Sequence, residues 1–370
     1  MTHDLSPSSN NLFLSSNNCR VPSPSRQLQQ QRRSPLDDDN EGFQQESPFG
    51  IDPSDSVGGS NPLDKDLLCA KLTSIGFSPD DFRPVLIEAQ LSGLGLTSVN
   101  AIRDFRNLQI VRMRNNKLRC LHPLNLLTFL TVLDAANNEI ESSEELIPNA
   151  CLEVVDLSQN RIKRLGDWSF NPRLRILKLA GNAIASLEGN LRDNALLQHL
   201  DLSENLLESL EDLPPSLSIE ELLVANNRIK SLQGVEALAK LAFLNAHGNR
   251  LTCLYPVSAE TAPNLLHLDV GGNPEFRNIR LLTPLEKSSF FCSLNLFPGP
   301  LEEVDWLRVK VIHMLQHLEV LNGEPVTTEE KVKVEEAYGE EVEGQRRIWE
   351  AILPGEPFPD RRLLKAHDFI

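Results

Sequence analysis

The residue types best suited to chemistry are thinly spread in this chain. Eight histidines and six cysteines occur in 370 residues, and Cys19, Cys69, Cys120, Cys151, Cys253 and Cys292 never fall at CxxC or comparable spacing. A zinc site or a dithiol pair needs such spacing to bring sulfur atoms together. His199, His247 and His267 lie in short apolar segments that recur along the chain, and the last two can be near neighbours. No cysteine or third close ligand completes a set around them, so no metal and no cofactor is expected. The sequence carries no P-loop, no GxSxG and no HExxH, the patterns that hold a phosphate, a serine nucleophile or a catalytic zinc. A non-catalytic role is the expectation.

What would position any binding residue is a repeat. The pattern LxxLxLxxNxL aligns at Leu86, Leu108, Leu130, Leu152, Leu174, Leu197, Ile219, Leu241 and Leu265, nine units spaced 22 to 24 residues apart. Clear examples are LEVVDLSQNRI at 152–162 and IEELLVANNRI at 219–229. The first, fourth and sixth positions are expected to point inward from a short strand, so that neighbouring units share one core and no unit folds alone. The ninth position holds Asn116, Asn138, Asn160, Asn182, Asn205, Asn227, Asn249 and Asn273, and only the first unit lacks it, with Leu94 there. An inward amide can bond to backbone groups left open where the chain leaves the strand, in its own unit and the next. Beyond the asparagine, runs such as Leu118, Leu121, Leu124 and Leu127 keep an apolar residue at every third position. That spacing suits a 3₁₀ return turn, in which residues i and i+3 eclipse.

These motifs resemble the leucine-rich-repeat superfamily, in its short 22-residue class, which includes the regulatory subunit of protein phosphatase 1 and several ciliary and spliceosomal proteins. The resemblance implies an α/β solenoid, with a curved parallel β-sheet on its concave face, 3₁₀ or helical turns on its convex face, and helical caps. Residues 311–339, VIHMLQHLEVLNGEPVTTEEKVKVEEAYG, resemble the C-terminal cap of that class, and Thr327 with Glu330 forms a capping-box pattern. The expected organisation is a disordered tail over 1–60, rich in Ser, Asn, Gln and Pro with four Ser-Pro sites, then capping helices over 61–85. The first helix is read from Asn61-Pro62 and the spacing of Leu63, Leu67, Leu68, Leu72 and Ile75, the second from Ser78-Pro79. The array follows over 86–275, then an irregular insertion over 276–304, a C-terminal cap over 305–345 and a tail over 346–370.

Positions three, five and seven of each strand alternate onto the concave face, where a partner is expected. Three zones emerge among the candidate contact residues. Arg112 and Arg114 are expected to clamp a carboxylate or phosphate near the N-terminal end. Ile110, Val132, Val154 and Ile176 form a middle apolar stripe. Leu223, Phe243, His247 and His267 form a third zone, the only one with an aromatic anchor.

The net charge of −16 opposes phosphate backbones and anionic membranes. Residues 301–350 alone carry 13 acids against 6 bases. Direct nucleic-acid binding is therefore disfavoured. No membrane role is expected either, since no apolar run reaches 18 residues and the polar N-terminus lacks signal-peptide character. With cysteines expected as free thiols, the reading is a cytoplasmic scaffold or regulatory subunit that grips a protein partner. A ciliary or cytoskeletal adaptor, and a subunit of a nuclear RNA-protein complex, stand as alternatives.

Overall fold

The computed structural model describes residues 60–351, apart from 144, 145, 147, 148, 189, 215–217 and 340–349. The expected N-terminal tail with its Ser-Pro sites, and almost all of the 346–370 tail, lie outside the described residues.

A leucine-rich-repeat solenoid is built around a 13-stranded sheet whose strands follow one another in chain order. A helix, α1 (Lys65–Ala70), leads into β1 (Leu72–Phe77), which pairs antiparallel with β2 (Pro84–Gln90). Then come three-residue strands, one per unit: β3 (Ile110–Arg112), β4 (Val132–Asp134), β5 (Val154–Asp156), β6 (Ile176–Lys178), β7 (His199–Asp201), β8 (Glu221–Leu223), β9 (Phe243–Asn245), β10 (His267–Asp269) and β11 (Ser293–Asn295). From β2 to β11 all pairing is parallel and in repeat register, as in Ile110 opposite Val132 opposite Val154. The sheet ends in β12 (Val320–Leu321) and an antiparallel β13 (Glu324–Pro325), with α2 (Leu307–Met314) and α3 (Thr328–Gly339) alongside.

The strands are short because every unit needs only one inward side chain between its two outward ones. Val111, Leu133, Val155, Leu177, Leu200, Leu222, Leu244 and Leu268 are that inward residue, and each is fully buried in one continuous core. After the strand the chain turns through a left-handed residue at position eight, at Asn115, Asn137, Gln159, Gly181, Glu204, Asn226, Gly248 and Gly272. Asparagine and glycine tolerate that backbone best. The period-three apolar runs return as 3₁₀ turns at Asn100–Asp104, His122–Leu126 and Val235–Ala237.

Five expectations change. No second helix forms after α1: β1 supplies an antiparallel hairpin strand, and residues 78–83 are its loop. Nor does Asn61 cap α1, because its side-chain amide donates to the Leu94 carbonyl, and Asp64 precedes the helix. Leu86 lies in the extended β2, on the face of Glu88 and Gln90, and so points outward although it holds position one. The 276–304 stretch is a tenth unit with a longer connection: a 3₁₀ return at Ile279–Leu285, buried Phe291, Leu294 and Leu296, and β11 in parallel register. Its Phe297 carbonyl sits where a Cβ on Gly271 would fall, 2.1 Å away, so the ninth unit needs glycine at position seven. Of the Thr327–Glu330 capping box one half forms: Thr327 Oγ1 accepts the Glu330 N–H, while the Glu330 carboxylate takes two bonds from Arg308, at 2.6 and 2.9 Å.

Candidate functional site

Parallel register places the third-position residues side by side on the open sheet face. Glu88, Ile110, Val132, Val154, Ile176, His199, Glu221, Phe243, His267 and Ser293 form one row, and each pairs with the next. The row of Ile110, Val132, Val154 and Ile176 is therefore contiguous, and each of its side chains is half-buried.

The arginine zone is not an open anion clamp. Arg112 Nε donates to Glu88 Oε1 at 3.0 Å, and Arg114 bridges two strands, reaching Asp134 at 3.3 Å and Asp156 at 2.9 Å. Both guanidinium groups already have carboxylate partners, which an incoming anion would have to displace. Burial opposes ionisation of Glu88. Bonds from the Ser74 hydroxyl, Arg112 and Gln90 outweigh it and hold the carboxyl below the usual glutamate range.

In the third zone, the Phe243 ring lies 5.7 Å from that of His267, tilted by 31°, and the phenyl group is 46% exposed. Leu223 is half-buried on the strand next to Phe243, two positions along from Glu221. His199 Nδ1 and Glu221 are 2.7 Å apart, His247 Nδ1 and Asp269 3.3 Å, and His267 Nδ1 and Ser293 Oγ 2.7 Å. Each histidine has its own partner on the next strand, and the register does not bring the three to one point. Among the described residues no group of three or more His, Cys, Asp or Glu is placed to hold a metal ion. Cys69, Cys253 and Cys292 are free thiols.

A column that sequence reading assigned no task lies at position five. Asp134, Asp156, Asp201 and Asp269, with Asn245 and Asn295, each accept the backbone N–H two residues on, at 2.9 to 3.3 Å. This closes the strand with an Asx turn, so these acids serve the fold before any ligand. The signal was available as Asp or Asn two residues before the turn.

Beneath this face runs the asparagine column. Asn160 is typical: its Oδ1 accepts the Ile140 N–H at 3.0 Å, and its Nδ2 faces the carbonyls of Ala135, Leu157 and Ser158 at 2.9 to 3.1 Å. Asn116, Asn138, Asn182, Asn205, Asn227, Asn249 and Asn273 repeat the arrangement. The bonds run to the same unit and the preceding one, since the side chain leans back toward the unit already laid down.

A leucine rich repeat family profile matches residues 151–210, the stretch spanning β5 to β7. The chain is a leucine-rich-repeat protein. Among curated relatives, leucine-rich repeat-containing protein 23 of Bos taurus is 28% identical over 277 residues, covering 75% of this chain and 80% of the relative. The Homo sapiens protein of that name is 29% identical over 274 residues, covering 74% and 79%. Two solved structures share the fold. A leucine-rich-repeat protein of Leptospira interrogans superposes with a TM-score of 0.57 at 23% identity, over 74% of this chain and 72% of that one. An internalin of Listeria monocytogenes gives 0.55 at 19%, over 68% and 80%. No described helix is long and apolar enough to cross a membrane.

Proposed function

We propose that this protein is a non-catalytic scaffold or regulatory subunit, and that its partner docks on the open sheet face over Leu223, Phe243 and His267. The observation that carries this reading is the exposed Phe243, which the sheet holds rigidly beside His267. Its apolar neighbours continue along the face as Leu223 and, three and four strands away, Ile176 and Val154. An aromatic ring in such a place is costly to leave in water and is a typical anchor of protein interfaces. The ion-paired arginines and the Asx-turn acids then act as a fixed polar border. The reading extends to a reducing compartment, which the free thiols of Cys69, Cys253 and Cys292 favour.

The experiment is affinity capture with mass spectrometry, comparing the unaltered chain with the Phe243→Ala/Leu223→Ala and Arg112→Ala/Arg114→Ala variants. Loss of both apolar anchors is expected to weaken capture by about a thousandfold, at about 2 kcal/mol each. Both side chains lie on the outward sheet face, so the melting temperature is expected to shift only slightly. Full capture by the apolar variant, with loss in the arginine variant, would move the site to the other end of the face.

A further inference from the structure

The N-terminal hairpin carries apolar surface that the solenoid does not use. Ile75 is 78% exposed, Phe77 65%, Phe82 72% and Leu86 43%. Antiparallel register sets Ile75 opposite Leu86 and Phe77 opposite Pro84. Side chains of directly opposed residues share a face, and residues two apart on a strand do as well. Ile75, Phe77, Pro84 and Leu86 therefore form one patch, with Phe82 in the loop at its end. Elsewhere among the described residues, exposed large apolar side chains such as Phe170, Tyr255 and Phe290 stand in the return segments of different units. A patch of this kind on a chain with only 15 phenylalanines is not incidental surface.

We propose that this hairpin patch closes against the same patch of a second copy, giving a dimer joined through the N-terminal ends of two solenoids. The area fits that occupant. A fully exposed large apolar side chain offers about 150–250 Å², so these four residues leave on the order of 500 Å² open and a symmetric pair covers about 1,000 Å². That is the threshold of a specific interface, and Pro84 and the patch border add to it. Charge fits as well. Two copies at −16 each repel over most of their surface, but the centre of this patch holds no charged residue. At its ends stand Glu88, bonded to Arg112, and the loop residues Asp81 and Arg83, paired with each other at 3.1 Å. Charges already paired within each copy leave the uncharged centre free to lie on a two-fold axis. Self-matching patches at one end of an array give a closed pair and no filament. This inference is independent of the sheet-face reading above.

Sedimentation velocity of the full chain across the micromolar range tests it, together with the Phe77→Ser/Phe82→Ser variant. The expected result is a concentration-dependent dimer of the unaltered chain and a monomer of the variant, with the same melting temperature because both side chains are exposed. A chain that stays monomeric at the highest concentration overturns the proposal, whether another protein or another segment of the same chain covers the patch. A dimer that survives the double serine variant overturns it too, by placing the interface elsewhere.

Discussion

Replacing Asn160 by leucine tests the polar column at a position enclosed by units on both sides. The side chain makes four bonds, but their loss is unequal. The Ala135 carbonyl keeps a bond from Asn138, and the Leu157 carbonyl keeps one from Asn182. The Ile140 N–H has only Asn160 Oδ1, and Ile140 is fully buried. One orphaned buried donor costs about 1–3 kcal/mol, so Asn160→Leu is expected to lose about 2 kcal/mol in urea titration followed by circular dichroism. Asn160→Asp sharpens the test. It retains the acceptor for Ile140, yet turns a carboxylate oxygen toward three carbonyls that had shared a donor, so its loss is expected to be larger near neutral pH. An aspartate variant as stable as the unaltered chain, or a leucine variant within the scatter of surface substitutions, would refute the bond accounting.

Gly271→Ala forces a methyl group against the Phe297 carbonyl, so faster amide exchange is expected over residues 293–300, with the other units unchanged. Uniform protection would show that this contact is soft. Glu88 gives a pH dependence. Its folded-state carboxyl titrates below the unfolded value, so its contribution is fully present above the ordinary glutamate range and is lost as pH falls through the lower folded value. Arg112→Ala removes part of the cause, so melting temperature should fall less steeply on acidification in that variant. Superimposable acid profiles would argue against the pairing.

The repeat was legible because every unit repeats one inward pattern, and nine aligned copies leave little freedom in register. The tenth unit was hidden. Pro274 and Glu275 stand where the ninth unit should show its next apolar pair, Gly299 replaces the asparagine, and the connection is lengthened around Phe297-Pro298-Gly299-Pro300. The hairpin was misread for a different reason. Leu63, Leu67, Leu68, Leu72 and Ile75 fit helical spacing, but α1 is only six residues long, and Leu72 and Ile75 gain sheet pairing to β2. At the candidate site the column of each residue was readable, since column depends on period alone. Which charges meet was not, because Arg114 reaches across two strands to Asp156 and the choice rests on side-chain reach.

The backward lean of the asparagines gives the array a polarity of dependence. Each unit from the first to the eighth has one backbone N–H whose acceptor is the asparagine of its successor, from Leu96 with Asn116 to Leu251 with Asn273, while donors that run backward, such as the Arg161 N–H to the Ile140 carbonyl, sit on more exposed residues. This explains why Leu94 is tolerated in the first unit: nothing stands before it to be served. The ninth unit places Pro274 and Glu275 beyond its own asparagine, so the column ends there, and at the far end the Asn322 side chain accepts the Leu296 N–H in place of a strand carbonyl. Cutting such an array behind a middle unit strands a buried donor, whereas removing its leading units frees donors on exposed residues such as Arg161 and Arg228, which water can satisfy. Truncation from the front is thus expected to cost less stability than truncation behind a middle unit.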